Sequence, residues 1–180
     1  SQVQKLAYEV VEAVQARLET GMTEKDAVRM LRAELDSRGV TDMFHDPFAW
    51  FGDRAAFKNF WINIKFLPSK TRLQPGMPVI LDIAPIVDGY SADIGYCFVH
   101  GGNPQVEAMD RTLLQVRDHI LRAARAGKTM RAIYQEVDAL IEAAGFVNVH
   151  RYYPHRVIGH RLGRIRLSAL HKLRWLGFGL

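Results

Sequence analysis

The chain has 180 residues, 48% of them hydrophobic, and a formal net charge of +5. This length and composition favour one domain with a buried core, and because no apolar run is long enough to cross a bilayer, we expect no membrane partner. A single cysteine, Cys97, excludes an internal disulfide framework. It predicts a reducing, cytoplasmic compartment, with Cys97 itself as a small core residue.

Two pairs of helices are predicted along the chain. Residues 2–18 and 105–125 have helical patterns, and each is followed by a segment with Thr at an N-cap position and Gly just past the helix end. These following segments, 21–39 and 127–145, lie 106 residues apart and carry apolar residues at helical spacing. Two unrelated helix hairpins or two repeated halves would both produce this pattern.

Aromatic residues are concentrated between residues 44 and 51, around His45. This aromatic and glycine-containing stretch suits the rim of a pocket, but residues such as Phe48, Trp50 and Phe51 are more often found in a core.

Asp82 and Asp93 lie eleven residues apart, each beside an apolar run rich in β-forming residues. The dipeptide Asp88-Gly89 between them predicts a tight turn, so both aspartates are predicted on paired strands. Two ionised carboxylates held together in a sheet repel each other, and a divalent cation is the usual compensation. A surface aspartate on an edge strand and a turn aspartate would produce the same spacing, so the spacing alone leaves both interpretations open.

A second candidate element spans residues 154–163, where His160 stands between Gly159 and Gly163. A histidine set between glycines can approach a metal closely, because the neighbouring backbone carries no bulky side chains.

Positive charge is concentrated in the C-terminal segment, since no acidic residue follows Glu142 whereas seven arginines and lysines follow residue 150. The segment could be an anion-binding or nucleic-acid-binding patch, the basic wall of an acidic site, or a tail separated from its balancing acids. We favour the last two and expect no nucleic-acid partner. Residues 167–180 could also lie at a membrane surface, although a buried connecting helix is favoured.

Taken together, Asp82, Asp93 and the glycine-flanked His160 resemble the methionine aminopeptidase, aminopeptidase P and creatinase family. The turn at residues 73–78 and the hairpin at residues 88–90 extend the match. The resemblance implies an α+β, pseudo-symmetric pita-bread fold, in which helices cover a curved, mostly antiparallel sheet. It implies one catalytic-type domain over residues 1–180, with a first half of about 1–102 and an incomplete second half of about 103–180.

In that family two aspartates, a histidine and two later glutamates hold a pair of metal ions. The resemblance therefore implies that Asp82, Asp93 and His160 are metal ligands for two divalent ions, which could be Mn, Co, Fe or Zn. Adding the 106-residue repeat to the two aspartates gives positions beyond Leu180, where the two glutamates are expected. We expect either that the chain is a fragment or that the protein lacks the complete dinuclear site.

The implied function is a metal-dependent hydrolase of the Met- or Xaa-Pro-aminopeptidase type, in which a metal-bridged hydroxide attacks a peptide or small amide. His155 and His171 are the candidate catalytic histidines. The histidine that peptidase members carry before the first aspartate is absent near residues 63–65, and His45 is too early unless a loop bridges the gap. The alternatives are a creatinase-like hydrolase of non-peptide C–N bonds and a non-catalytic module that binds through its basic C-terminal segment. The resemblance also allows a homodimer.

Overall fold

The computed structural model of the chain describes residues 2–57, 60, 63–149 and 164. The candidate residues His155, His160 and His171 therefore lie outside the described residues. The candidate segment 167–180 also lies outside them. The elements in chain order are α1 (Gln2–Gln15), α2 (Glu24–Ser37), β1 (Asp42–Met43), β2 (Phe48–Phe51), two short 3-10 helices (Gly52–Ala56 and Asn63–Phe66), β3 (Pro78–Ile83), β4 (Pro85–Val87), β5 (Tyr90–Ser91), β6 (Ile94–Val99), α3 (Pro104–Arg125) and α4 (Met130–Ala143).

The six strands form two antiparallel sheets of three strands each, which continue into one another across a bend and are together called the ribbon. One part has the order β1-β4-β5 and the other has the order β2-β3-β6, and each strand of the first part adjoins one of the second along the chain. The bend therefore contains the short breaks at residues 44–47, 84 and 92–93. Backbone hydrogen bonds still join the strands there, from Phe44 to the Ala84 carbonyl and from Ala92 to the Pro85 carbonyl.

The helices begin where the sequence places capping side chains. Thr23 and Asp26 form a capping box at the start of α2, and Thr129 accepts from the Ala132 amide at the start of α4. Both bounds of α4 lie 106 residues after those of α2. The predicted helix pairs are confirmed, with α1 ending three residues before the predicted boundary. Among the described residues, no helix is both long and apolar enough to cross a bilayer.

The main core lies between the α1–α2 hairpin and one face of the ribbon. The buried residues of α1 recur at helical spacing, and alternate residues of β3 belong to the same core. These core side chains are fully or almost fully buried: Val3, Ala7, Val10, Val11 and Val14 of α1, and Val79, Leu81 and Ile83 of β3. Because side chains alternate along a strand, residues 80 and 82 point to the opposite face.

That opposite face carries an aromatic cluster on one side of the bend. Trp50, Phe60 and Phe66 are buried together, and Phe48 and Phe57 pack against them. The core interpretation of Trp50 and Phe51 is confirmed, because both are buried, whereas Phe48 is only half-buried.

The connection that follows β2 is fixed by Glu24, which is fully buried at the start of α2. Its carboxylate accepts hydrogen bonds from the Phe51 amide (3.0 Å), the Ser69 amide (2.7 Å) and Arg54 Nε (2.8 and 3.0 Å). Arg54 in turn donates to the carbonyls of Lys65 and Leu67. The Glu24–Arg54 ion pair therefore joins the start of α2 to the end of β2 and to the connection that follows it.

Candidate metal centre

Asp82 lies near the C-terminal end of β3, the middle strand of its part of the ribbon. It is opposite Phe48 in β2 and opposite Gly95 in β6. Gly95 has no side chain, so the pairing leaves space beside the carboxylate on the face away from the helices. The Asp82 side chain is 23% exposed.

Asp93 does not lie on a strand, contrary to the prediction. It occupies the break between β5 and β6, one residue before Ile94. The predicted turn at Asp88-Gly89 is confirmed, with both residues at positive φ, and it directs the chain back beside β4. The break then lets the Asp93 side chain turn toward Asp82.

His45 lies at the same bend, in the break between β1 and β2. Its Nε2 is 3.4 Å from Asp93 Oδ1 and 3.6 Å from Asp82 Oδ1. His45 therefore meets the condition set for it, that a loop bridges the gap in the sequence. The 26 residues that separate β2 from β3 form the loop that bridges the gap, since antiparallel pairing brings the start of β2 beside the end of β3.

The three side chains offer one donor atom each, and these atoms lie within 4.8 Å of one another. Burial raises the pKa of the Asp82 carboxyl to about 6, against the opposing charge of His45 and with a further rise from Asp93. Burial lowers the pKa of His45, but its hydrogen bond to Asp93 and the charge of Asp82 outweigh this and raise the pKa to about 9. A cation is therefore favoured between the carboxylates.

The donor set fits a divalent metal. Two carboxylates and one imidazole suit Mn, Co, Fe and Zn, and all three side chains are mostly shielded from water. The structure brings Asp82 and Asp93 together as predicted, and it adds His45. The third predicted ligand, His160, and the predicted catalytic residues His155 and His171 lie outside the described residues.

The surroundings of the cluster are apolar on one side. The Phe48 ring lies 5.4 Å from the His45 ring and stacks on Trp50 at 5.3 Å, so an aromatic wall extends away from the three donors.

Cys97 lies on β6 opposite Ile80, on the same face of the ribbon as Asp82. It is exposed in the described part of the chain, so its prediction as a core residue was wrong. The apolar residues of β6 that face the helices are Ile94, Tyr96 and Phe98, and Cys97 alternates with them.

Comparison with known sequences identifies the family. The profile of metallopeptidase family M24 matches residues 1–172. The chain is 30% identical over 160 residues to the Bacillus subtilis (strain 168) protein YkvY, which is provisionally named a dipeptidase, covering 88% of this chain and 41% of that protein. It is also 30% identical over 161 residues to the uncharacterized peptidase SH1217 of Staphylococcus haemolyticus (strain JCSC1435), covering 88% and 43% respectively.

Comparison with solved structures supports the same assignment at the level of fold. An X-Pro aminopeptidase from Thermotoga maritima MSB8 matches with a TM-score of 0.68 at 20% identity, over 80% of this chain and 40% of that one. A dipeptidase from Pyrococcus horikoshii OT3 matches with a TM-score of 0.65 at 18% identity, over 79% and 38%. These likenesses confirm the predicted α+β pita-bread fold. The chain spans about two-fifths of the length of the relatives that it matches.

Proposed function

The chain belongs to metallopeptidase family M24, and from that premise we propose that the protein is a divalent-metal-dependent peptidase of the aminopeptidase or dipeptidase type. The observation that carries the proposal is the convergence of Asp82 and Asp93 at one bend of the ribbon, with a histidine facing both. The two aspartates would hold the metal, together with His160, and His155 and His171 are the proposed catalytic histidines. The names of the relatives favour a peptide substrate.

When bound, a divalent ion supplies Lewis acidity toward a peptide carbonyl and toward water. Asp82 and Asp93 would position that charge at the bend, because Asp82 is held on β3 and Asp93 in the break between β5 and β6. The aromatic wall beginning at Phe48 would exclude bulk water from one side of the site and offer an apolar surface to a substrate side chain. A dry wall beside the donors strengthens the electrostatic interactions within the site.

The test is hydrolysis of a peptide panel by protein that has been stripped of metal and then reconstituted. The panel contains dipeptides with and without proline in the second position, longer peptides and a non-peptide amide. We expect release of a free N-terminal residue that requires the added ion and is abolished in Asp82→Asn. The exposed turn residue Asp88 supplies the matched control, since Asp88→Asn removes an aspartate from the same hairpin but not from the donor cluster. Metal-independent hydrolysis, or equal activity in the two variants, would refute the proposal.

The same proposal covers domain organisation, with residues 1–102 as one half and residues 103–180 as part of the second. The 106-residue offset between α2 and α4 supports it. So does the apolar face of α3, where Leu113, Leu114 and Leu121 are 57%, 54% and 46% exposed within the described part of the chain. In the first half the equivalent hairpin buries its apolar face on a sheet. We expect the apolar face of α3 to be covered in the same way in the whole protein.

Leu114→Asp tests this organisation, with Gln115→Asp as a control, because Gln115 is exposed on another face of the same helix. A covered leucine replaced by a charge should lower the free energy of unfolding by more than about 2 kcal/mol, whereas a change at a solvated surface stays within about 0.5 kcal/mol. Equal unfolding free energies for the two variants would contradict the two-half organisation.

A further inference from the structure

We propose that His45 is itself a metal ligand, binding through Nε2 the ion that Asp82 and Asp93 hold. This inference rests on the proposed metal-dependent function and adds to it a donor that the resemblance did not include. It is carried by the ring orientation, by the distances to the two carboxylates and by the way the bend holds the ring.

The orientation of the ring is set by its other nitrogen. His45 Nδ1 lies 2.7 Å from the carbonyl oxygen of Asp46. A carbonyl oxygen only accepts, so Nδ1 carries the hydrogen, and in the neutral ring Nε2 then carries the lone pair. Metal-binding histidines typically donate their second N–H to a carbonyl or a carboxylate in this way. Nε2 is the atom directed at Asp82 and Asp93, and it would offer this lone pair to an ion that displaces its proton.

The distances match donors that share one ion. The two Nε2–Oδ1 separations, 3.4 Å to Asp93 and 3.6 Å to Asp82, are longer than a usual N–H···O hydrogen bond of roughly 2.7–3.2 Å. Two donors that each lie roughly 2.0–2.2 Å from a tetrahedral ion are separated from each other by about 3.3–3.6 Å. The separations of His45 from both carboxylates fall in that range.

The ring is held in place by its neighbours on both sides. The Phe44 amide donates to the Ala84 carbonyl at 2.8 Å, which ties the segment to the middle strand of the ribbon. The rings of Phe44 and Phe48 lie 6.2 and 5.4 Å from the imidazole, and the His45 side chain is only 12% exposed. A ring held in this manner needs little reordering to bind an ion, and this keeps the entropic cost of binding low.

Spectroscopy of the His45 ring nitrogens distinguishes a metal ligand from a residue that only hydrogen-bonds to the ligands. If His45 binds the ion, its Nε2 loses any proton and becomes metal-bound when the ion is added, while Nδ1 stays protonated. If His45 only hydrogen-bonds to the aspartates, its Nε2 stays protonated with the metal present.

The experiment uses purified protein with ¹⁵N-labelled histidine rings, stripped of metal and titrated with Zn²⁺. Long-range ¹H–¹⁵N correlation spectra report the state of each ring nitrogen, and the spectrum of His45→Gln assigns the His45 signals.

Zinc affinity is measured in parallel. His45→Gln should weaken zinc binding by more than about 100-fold, beyond the 10–100-fold that an outer-shell partner usually contributes. His100→Gln is the matched control, because His100 lies beyond the far end of β6 and contacts Thr20 at 3.0 Å; its zinc affinity should stay within about twofold of the unmodified protein.

Each result is decisive. A zinc-bound Nε2 in the unmodified protein supports the proposal even if His45→Gln folds poorly. If zinc binds and Asp82→Asn abolishes the binding, but the His45 Nε2 signal remains that of a protonated nitrogen, His45 is not a ligand and the proposed function stands. If the unmodified protein binds no zinc, manganese or cobalt, both proposals fail.

Discussion

Replacing Glu24 by Gln perturbs the buried ion pair that joins α2 to the end of β2. The Glu24 carboxylate is inaccessible to solvent, and both of its oxygens accept hydrogen bonds. A glutamine keeps one acceptor oxygen but places an NH₂ group against an N–H donor. It also leaves the Arg54 guanidinium, which is 24% exposed, without its carboxylate.

The expected cost follows from this geometry. Removing one partner of a buried ion pair typically destabilises a protein by about 3–5 kcal/mol, because the remaining charge is left uncompensated. In a protein of this size each kcal/mol corresponds to roughly 2–4 °C, so the melting temperature should fall by roughly 6–20 °C. The exposed carboxylate of Glu9, which pairs with Lys5 and Arg38, provides the control; Glu9→Gln should change the unfolding free energy by less than about 1 kcal/mol.

Thermal and urea unfolding of Glu24→Gln, Arg54→Met and the double variant would measure the effect. Because Met leaves no charge to compensate, the double variant should be less destabilised than the sum of the two single variants. A loss for Glu24→Gln no larger than that for Glu9→Gln would refute the reasoning, and so would strict additivity in the cycle.

Three further substitutions test local features. Hydrogen bonds from Thr23 hold the pKa of Asp26 below its ordinary value of 3.8, so its contribution to stability is present above about pH 4 and is lost as the pH falls through the folded-state pKa. The difference in unfolding free energy between the unmodified protein and Asp26→Asn should therefore shrink between pH 5 and about pH 2; a constant difference would contradict the capping box. Asn103→Ala removes the N-cap of α3 and should lower the unfolding free energy by about 1–2 kcal/mol, while an unchanged urea midpoint would show that the cap does not contribute. Gly89→Ala places a side chain at φ 78° and should cost about 1–2 kcal/mol, more than Gly95→Ala, whose added Cβ would meet, among the described residues, Ile80 alone at 4.0 Å; equal unfolding free energies for these two variants would contradict the turn geometry.

Features that depend on neighbouring residues could be predicted from the sequence. Thr23 and Thr129 specify the starts of α2 and α4 because an N-cap acts within one helical turn. Asp88-Gly89 specifies the hairpin turn because few other dipeptides adopt positive φ at both positions. The proximity of Asp82 and Asp93 follows, since the short hairpin between them leaves the chain few ways to separate them.

Features that depend on distant pairing could not be predicted in the same way. His45 reaches the two aspartates only because β2 pairs with β3 in a register that puts Phe48 opposite Asp82, and a connection of 26 residues carries no spacing signal for that register. A sequence signal was nevertheless available, because His45 lies three residues before the aromatic strand β2. The prediction of Cys97 as a core residue was wrong for a related reason. Both faces of β6 carry apolar residues, so alternation shows which residues share a face but not which face meets the helices.

The most direct test of the metal centre is the metal content of the purified protein and of its Asp93→Asn and Asp88→Asn variants. Elemental analysis after equilibration with Mn²⁺, Co²⁺ or Zn²⁺ and removal of free ion reports the bound equivalents. The aspartates at positions 88 and 93 are close in sequence, but only Asp93 belongs to the donor cluster, and Asp88 is exposed. We expect stoichiometric metal in the unmodified protein and in Asp88→Asn, and a loss of most of it in Asp93→Asn. Equal metal content in all three, or none in the unmodified protein, would contradict a metal centre at this bend.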